Sequence, residues 1–368
     1  MVQRMIGLRS WHPAISVETT YSLIFVDEGH VNNEECEMWA VENRTPYAVG
    51  RTWGRNKDGV HEWIVAIKGT FNIRPDGSLT LADEQLDPLL VPEYNGEDFV
   101  SSLRYDADLV GPKPTTDVVL NGTAYAPQGR PASEFAVSLH IGDVHKALRV
   151  LGNRWWEWRA STFHPSAVQP VASVPIIYER AYGGFDQSSP NPKEQRLDTR
   201  NPVGCGMVPK DEQPLPNLEY IGGRLESTGP AGFGALDCYW SPRRELSGTY
   251  DAAWQQSRYP LLPADWDPRS LLCSPADQRP DRPLRGGELV VLENLTPNGK
   301  LSFELPKIFP RFTTYIDNSI EEHQGQLASV IIEPDYPRIL LIWQSTLLVR
   351  TNGDYLDKTI VREKARLR

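Results

Sequence analysis

From residue 61 to residue 83 the chain reads HEWIVAIKGTFNIRPDGSLTLAD, a run rich in β-branched and aromatic residues, then an Asp76-Gly77 turn, then a shorter apolar–polar alternation. This pattern predicts a strand ending near Ile73, a tight turn and a return strand from Leu79. DVVLNGTAYAP, EFAVSLHIG and KALRVLG carry the same pattern between Gly- and Pro-containing turns and predict a second antiparallel meander. Strand code resumes after Arg285 in ELVVLENLTPNGKLSFELP, QLASVIIEP and RILLIWQSTLLVRTNGDYL. Between these β regions, residues 178–285 contain fourteen prolines, which leave little room for a regular helix or a central strand. TYDAAWQQSR is the exception, a short helix of about two turns with Thr249 as a candidate N-cap.

The C-terminal region echoes the N-terminal one. IVAIKGTFNIRPDG from Ile64 aligns without gaps to LLIWQSTLLVRTNG from Leu340, and VENRTPYA at Val41 resembles LENLTPNG at Leu292. Strand–Gly-turn–strand units also produce such matches by chance, so a duplication and a coincidence both stand. The expected fold is mainly β: two antiparallel sandwich- or barrel-like units with few short helices and a long, ordered Pro/Gly-rich insert across them. The regions are 1–177, the insert 178–285, and 286–368 as a possible repeat of the first.

Composition narrows the function classes. The 368 residues are 40% hydrophobic and 23% charged, a globular mix with enough chain for about two domains. The formal net charge is −10, and no basic block exceeds the C-terminal REKARLR, which reads as a solvated tail. Nucleic-acid binding, which needs a basic face to neutralise phosphates, is disfavoured. No apolar run has the length of a secretory signal or of a membrane span, so membrane insertion is not expected and a cytoplasmic protein is. Cys36, Cys205, Cys238 and Cys273 are far apart with no C-x-x-C pair, and read as reduced structural thiols.

The search for chemistry starts with metals. His140 and His145 are the closest of seven histidines; five residues apart in a meander, they fall on opposite faces unless the intervening Gly-Asp turn folds them together. Cys205 in VGCGM sits between glycines, the setting of a tight backbone crossing more than of a nucleophile, although a fold could bring a histidine to it. YGGFD and LRGGEL lack the spacing of a phosphate loop. Glu179 and Asp186 could form the paired carboxylates of a glycosidase, with Trp155, Trp156 and Trp158 in RWWEWRAS as a sugar platform. The plainer reading puts Trp156 and Trp158 in the core with Trp155 opposite, and gives Glu179 a salt bridge to Arg180 or Arg200.

One segment stands out: YERAYGGFDQSSPNPKEQRLDTRNPVGCGMVP, residues 178–209. Its Gly183, Gly184, Gly204 and Pro202 shape the backbone, Tyr182 lies among them, and Glu179, Arg180, Asp186 and Asn201 read as ties between loop and sheet. YERAYGGFD, NPVGCGM, LPNLE, PAGFGALDCYWSPRR, GTYDAAWQQSRYPLLPADWDPR and LRGGELVVLENLTPNGKLSFELP, in this order, together with KGTF at Lys68, resemble the bacterial domain-of-unknown-function family 2169 over nearly the whole chain. The resemblance implies a type VI secretion adaptor or chaperone, a partner that helps load an effector toxin onto the VgrG spike, often beside a PAAR tip protein. It implies no cofactor and no catalytic residue. Trp254, Tyr259 and Trp266 are candidate partner anchors or core residues of the insert, and the net negative charge suits a basic partner. The alternative is a carbohydrate-binding or carbohydrate-active β-sandwich.

Overall fold

A computed structural model of the chain describes residues 38–350 and 353–363. His12, His30, Cys36 and most of the REKARLR tail lie outside the described residues. The protein is mainly β with no closed barrel, and none of its described helices is long and apolar enough to cross a membrane.

The central sheet combines strands from the N-terminal and C-terminal thirds of the chain. Its strands run in the order Ala48–Arg55, His61–Ile73, Arg338–Val349, Gln326–Glu333, Asp117–Leu120, with Leu79–Leu81 also on His61–Ile73. The two segments that echo each other in sequence are therefore neighbours: they pair antiparallel with Ile67 opposite Trp343. Each also has its own hairpin partner on the outer side, an approximate local twofold. The second echo does not extend this relation, because Ala40–Arg44 pairs with Leu356–Glu363 while Leu289–Glu293 pairs with Glu134–Ile141.

His61–Ile73 explains why the centre is buried on both sides. Trp63, Val65, Ile67, Phe71 and Ile73 join the large core, while Ile64 and Ala66 join a second core on the opposite face with Leu340, Ile342 and Ile331. The alternation follows the period of two along a strand. A bulge between Leu327 and Ser329 shifts this parity, so Leu327 and Val330 reach the same core. The large core also takes Phe135, Val137, Leu139 and Ile141 from the five-stranded sheet Leu218–Tyr220, Val144–Leu151, Glu134–Ile141, Leu289–Glu293, Lys300–Glu304. Phe312, Leu356 and Val361 come from a four-stranded sheet, Ala40–Arg44, Leu356–Glu363, Pro310–Ile316, Ser319–Gln324.

The hairpin with Asp76-Gly77 forms as expected. The predicted meander divides: Glu134–Ile141 and Val144–Leu151 pair antiparallel, but Asp117–Leu120 leaves for the central sheet and runs parallel to Gln326–Glu333. Asp117–Leu120 is buried throughout, as a parallel strand covered on both faces must be, and alternation cannot show which sheet such a strand joins. The helix of the insert is Ala252–Ser257, capped by Asp251, whose carboxylate accepts from the Trp254 amide at 2.8 Å. Thr249 is not its cap; it bonds Asp265 instead.

Where the central and four-stranded sheets meet, a polar chain crosses the core. Trp63 Nε1 donates to Thr359 at 2.8 Å, Thr359 shares a hydrogen bond with Thr314, Thr314 bonds His323 Nε2 at 2.9 Å, and His323 Nδ1 bonds Ser345. Burial pushes the His323 pKa down to about 4. Folded His323 thus stays neutral over a range in which the unfolded chain binds a proton, so its contribution is complete above about pH 6.5 and is lost as pH falls toward 4. Urea titrations of the wild type and of His323→Phe should therefore converge on acidification, the wild-type advantage at pH 7 shrinking by at most about 1.4 kcal/mol per pH unit. A difference independent of pH would contradict this.

Candidate functional site

The 178–209 segment folds around Asn201, which is fully buried. Asn201 Nδ2 donates to the Tyr178 carbonyl at 2.8 Å and the Tyr182 carbonyl at 3.0 Å. Its own carbonyl accepts from the amides of Gly184 and Gly204. These bonds supply partners that no sheet ladder offers to an irregular buried backbone. The crowding requires glycine: a Cβ at Gly183, where φ is 151°, would lie 2.2 Å from the Asn201 carbonyl oxygen, and one at Gly204 would lie 2.4 Å from Asn201 Nδ2. Pro202 follows half-buried, and Tyr182–Gly183 pairs in parallel with Cys205–Gly206.

Arg180, Tyr178 and Glu179 tie this knot outward, while Asp186 closes a turn within it. The Arg180 carbonyl accepts from the Asn217 amide, Arg180 Nη1 reaches Asn217 Oδ1 at 3.3 Å, and Asn217 Nδ2 donates to the Leu151 carbonyl in the five-stranded sheet. Tyr178 is buried against Trp240, rings edge-to-face at 5.5 Å, and donates to the Gly234 carbonyl. Asp186 accepts from Ser188 and from Arg196 at 3.1 Å, which together hold its carboxyl below the ordinary range. Glu179 does not pair with Arg180 or Arg200. Its two oxygens accept from the Ser102 amide and hydroxyl, both at 2.7 Å, while Arg200 takes Asp198. A carboxylate satisfied by one serine's two donors is better placed to hold a loop than to move a proton.

The structure distributes the remaining candidates. Burial pushes the Cys205 thiol up to about 11 and the Cys238 thiol up to about 12, so both are protonated at neutral pH. His140 and His145 are not on opposite faces: the Gly142-Asp143 turn sets them directly across from each other, ring centres 5.7 Å apart on the exposed face. Trp158 is not core; it is 55% exposed on the hairpin Trp156–Arg159/Thr162–Pro165, edge-on to Phe163 at 4.8 Å, while Trp155 and Trp156 are half-buried. Trp254 and Trp266 are half-buried, and Trp254 Nε1 donates to the Leu261 carbonyl. Tyr259 is 58% exposed and touches the Trp254 ring edge-on.

Ser102 closes the loop Asn95–Ser102, which carries Phe99, 59% exposed. Neither residue is a candidate from motif reading, yet EYNGEDFVSS lies in a stretch with no Lys, Arg or His between Arg74 and Arg104, a signal present in the sequence.

Asn201→Ala strips the donor from two buried carbonyls and should cost at least about 2 kcal/mol in denaturant unfolding, with Gly183→Ala at least as severe. Asp186→Ala, at the surface, should change little by the same measurement. Glu179→Ala should speed amide hydrogen exchange at Ser101 and Ser102 while leaving exchange in His61–Ile73 unchanged; uniform exchange across both regions would contradict the latch.

A family model described as an uncharacterized protein conserved in bacteria (DUF2169) matches residues 58–344. No curated protein and no solved structure matches the chain. That match takes in most of the central sheet, all of the five-stranded sheet and the whole knot around Asn201, and on it the chain belongs to the bacterial family DUF2169.

Proposed function

We propose that the chain is a non-enzymatic cytoplasmic adaptor that holds a type VI secretion effector and helps pass it to the VgrG/PAAR spike. The motifs of the 178–285 insert motivate the reading. The observation that carries it is the pair of hydrogen bonds that Ser102 donates to Glu179: the signature carboxylate best suited to acid–base chemistry is committed to holding a loop whose aromatic side chain is exposed. Arg180, Asp186 and Asn201 are likewise spent on internal ties. Such an architecture stiffens an irregular surface in advance, which lowers the entropy lost when a partner docks.

A carbohydrate-binding reading retains one observation, the exposed Trp158 beside Phe163. It predicts that Trp158→Ala abolishes retention on a glycan matrix.

Co-expression with any effector toxin encoded beside this gene tests the adaptor directly. The two should copurify, and removal of the adaptor should lower the toxin's solubility or secretion. If neither changes and nothing copurifies, the reading fails.

A further inference from the structure

Resting on the adaptor reading, we propose that the acidic and aromatic face carried by residues 83–102 is the docking surface for a basic, amphipathic segment of the partner polypeptide.

The charge is one-sided. Asp83, Glu84, Asp87, Glu93, Glu97 and Asp98 are all exposed, and no cation lies between Arg74 and Arg104 in the chain. None of the six forms an ion pair among the described residues; the nearby carboxylate that does, Asp108, is buried, paired with Lys68, and accepts from the Leu89 amide of this segment. Six exposed carboxylates within sixteen residues, none of them ion-paired among the described residues, set up a field that attracts a basic segment and repels a phosphate backbone or an anionic membrane.

The apolar part is displayed, not leftover. Leu90, Val91, Phe99 and Val100 are each at least half exposed. The Phe99 ring lies 5.3 Å from Tyr94 and 6.5 Å from Tyr239, giving a row of three aromatic rings that joins the segment to the insert. Phe99 adopts φ of 63°, a left-handed conformation that is an outlier for a bulky side chain. The loop holds it there: Asn95 Nδ2 donates to Ser102 Oγ, the Gly96 amide to Ser101 Oγ, and the Val100 and Ser101 amides to the Glu97 carbonyl. Tyr94 is pinned through its hydroxyl to Asp237 at 3.0 Å, and Ser102 is pinned by Glu179. Backbone strain kept in order to expose a ring is the pattern of a binding site. Aromatic faces beside carboxylates suit Lys and Arg, whose alkyl stems and guanidinium planes stack on rings while their charges meet acids.

Two measurements test this on the full chain. The first is fluorescence anisotropy with a labelled peptide of about 20 residues, Lys on one helical face and Leu and Phe on the other, against the same peptide with Glu for Lys. The Lys peptide should bind, weaken about tenfold or more between about 50 and about 500 mM salt, and weaken about tenfold or more on Phe99→Ser and on Glu97→Lys/Asp98→Lys. The Glu peptide should not bind. Phe99→Gly, which suits the left-handed backbone, should match Phe99→Ser and guards against a folding artefact. Failure of the Lys peptide to bind, or equal binding by all variants, overturns the surface. The second is copurification of the toxin. Loss on Phe99→Ser with retention by the wild type supports the surface; equal retention by both overturns it and leaves the adaptor reading intact. Absence from both overturns the adaptor reading, and the peptide result then decides the surface alone.

Discussion

Asp117 is wholly buried, and its carboxylate accepts from Lys113 Nζ at 2.8 Å, from the Ser274 amide and hydroxyl at 2.8 and 2.6 Å, and from the Cys273 amide at 3.1 Å. Burial alone would raise its pKa; Lys113 and Ser274 outweigh this and hold it down to about 2. Lys113, buried as deeply, also donates to Ser329 of the central sheet. The constraint behind this arrangement is general. A coil packed on a sheet carries backbone groups that no ladder satisfies, and each left unpaired would cost about 1–3 kcal/mol. Gln278 solves the same problem by donating to the Val118 and Phe233 carbonyls, and Arg243 by donating to Ser270, Leu236 and Asp106. The rest of the insert depends on these few side chains.

The same economy explains the signature segment. Its residues pair with backbone and with one another, so what they determine is the position of neighbouring surfaces. Glu179 is the point at which that rigidity is passed on, because its partner Ser102 belongs to a different loop. Residues without motif character, Phe99 among them, then stand on a platform made by residues that have it. On the adaptor reading, the family's most recognisable residues hold the site and a less recognisable acidic–aromatic segment presents it.

How far the sequence could be read depended on the range of the interaction concerned. The hairpin around Asp76-Gly77, four strands of the five-stranded sheet and the general irregularity of 178–285 were legible, since period, turn chemistry and proline content are local; the fifth strand, Leu218–Tyr220, lies inside that proline-rich region and was not. Asn201 and Asp186 were expected to tie the loop to the sheet, but both bond within the segment itself, to Tyr178, Tyr182, Ser188 and Arg196. The partner of Glu179 was not legible: Ser102 is far away in sequence, whereas Arg180 and Arg200 were near and of opposite charge. The His140–His145 pairing turned on the Gly142-Asp143 turn, which reverses the chain and so reverses the parity argument. Trp158 was misread because a short hairpin standing off the core exposes the face that strand alternation would assign inward.

By itself, the sequence determined a mainly β chain, an ordered proline-rich insert, an acidic surface and membership of a recognisable family, all properties carried by composition, local periodicity and ordered motifs. Only the tertiary structure decided that His61–Ile73 and Arg338–Val349 share one sheet, that Asp117–Leu120 runs parallel within it, and that Glu179 latches the Phe99 loop. Each of these is a contact between residues distant in sequence, chosen by which buried polar groups can satisfy one another, and no local pattern encodes that choice.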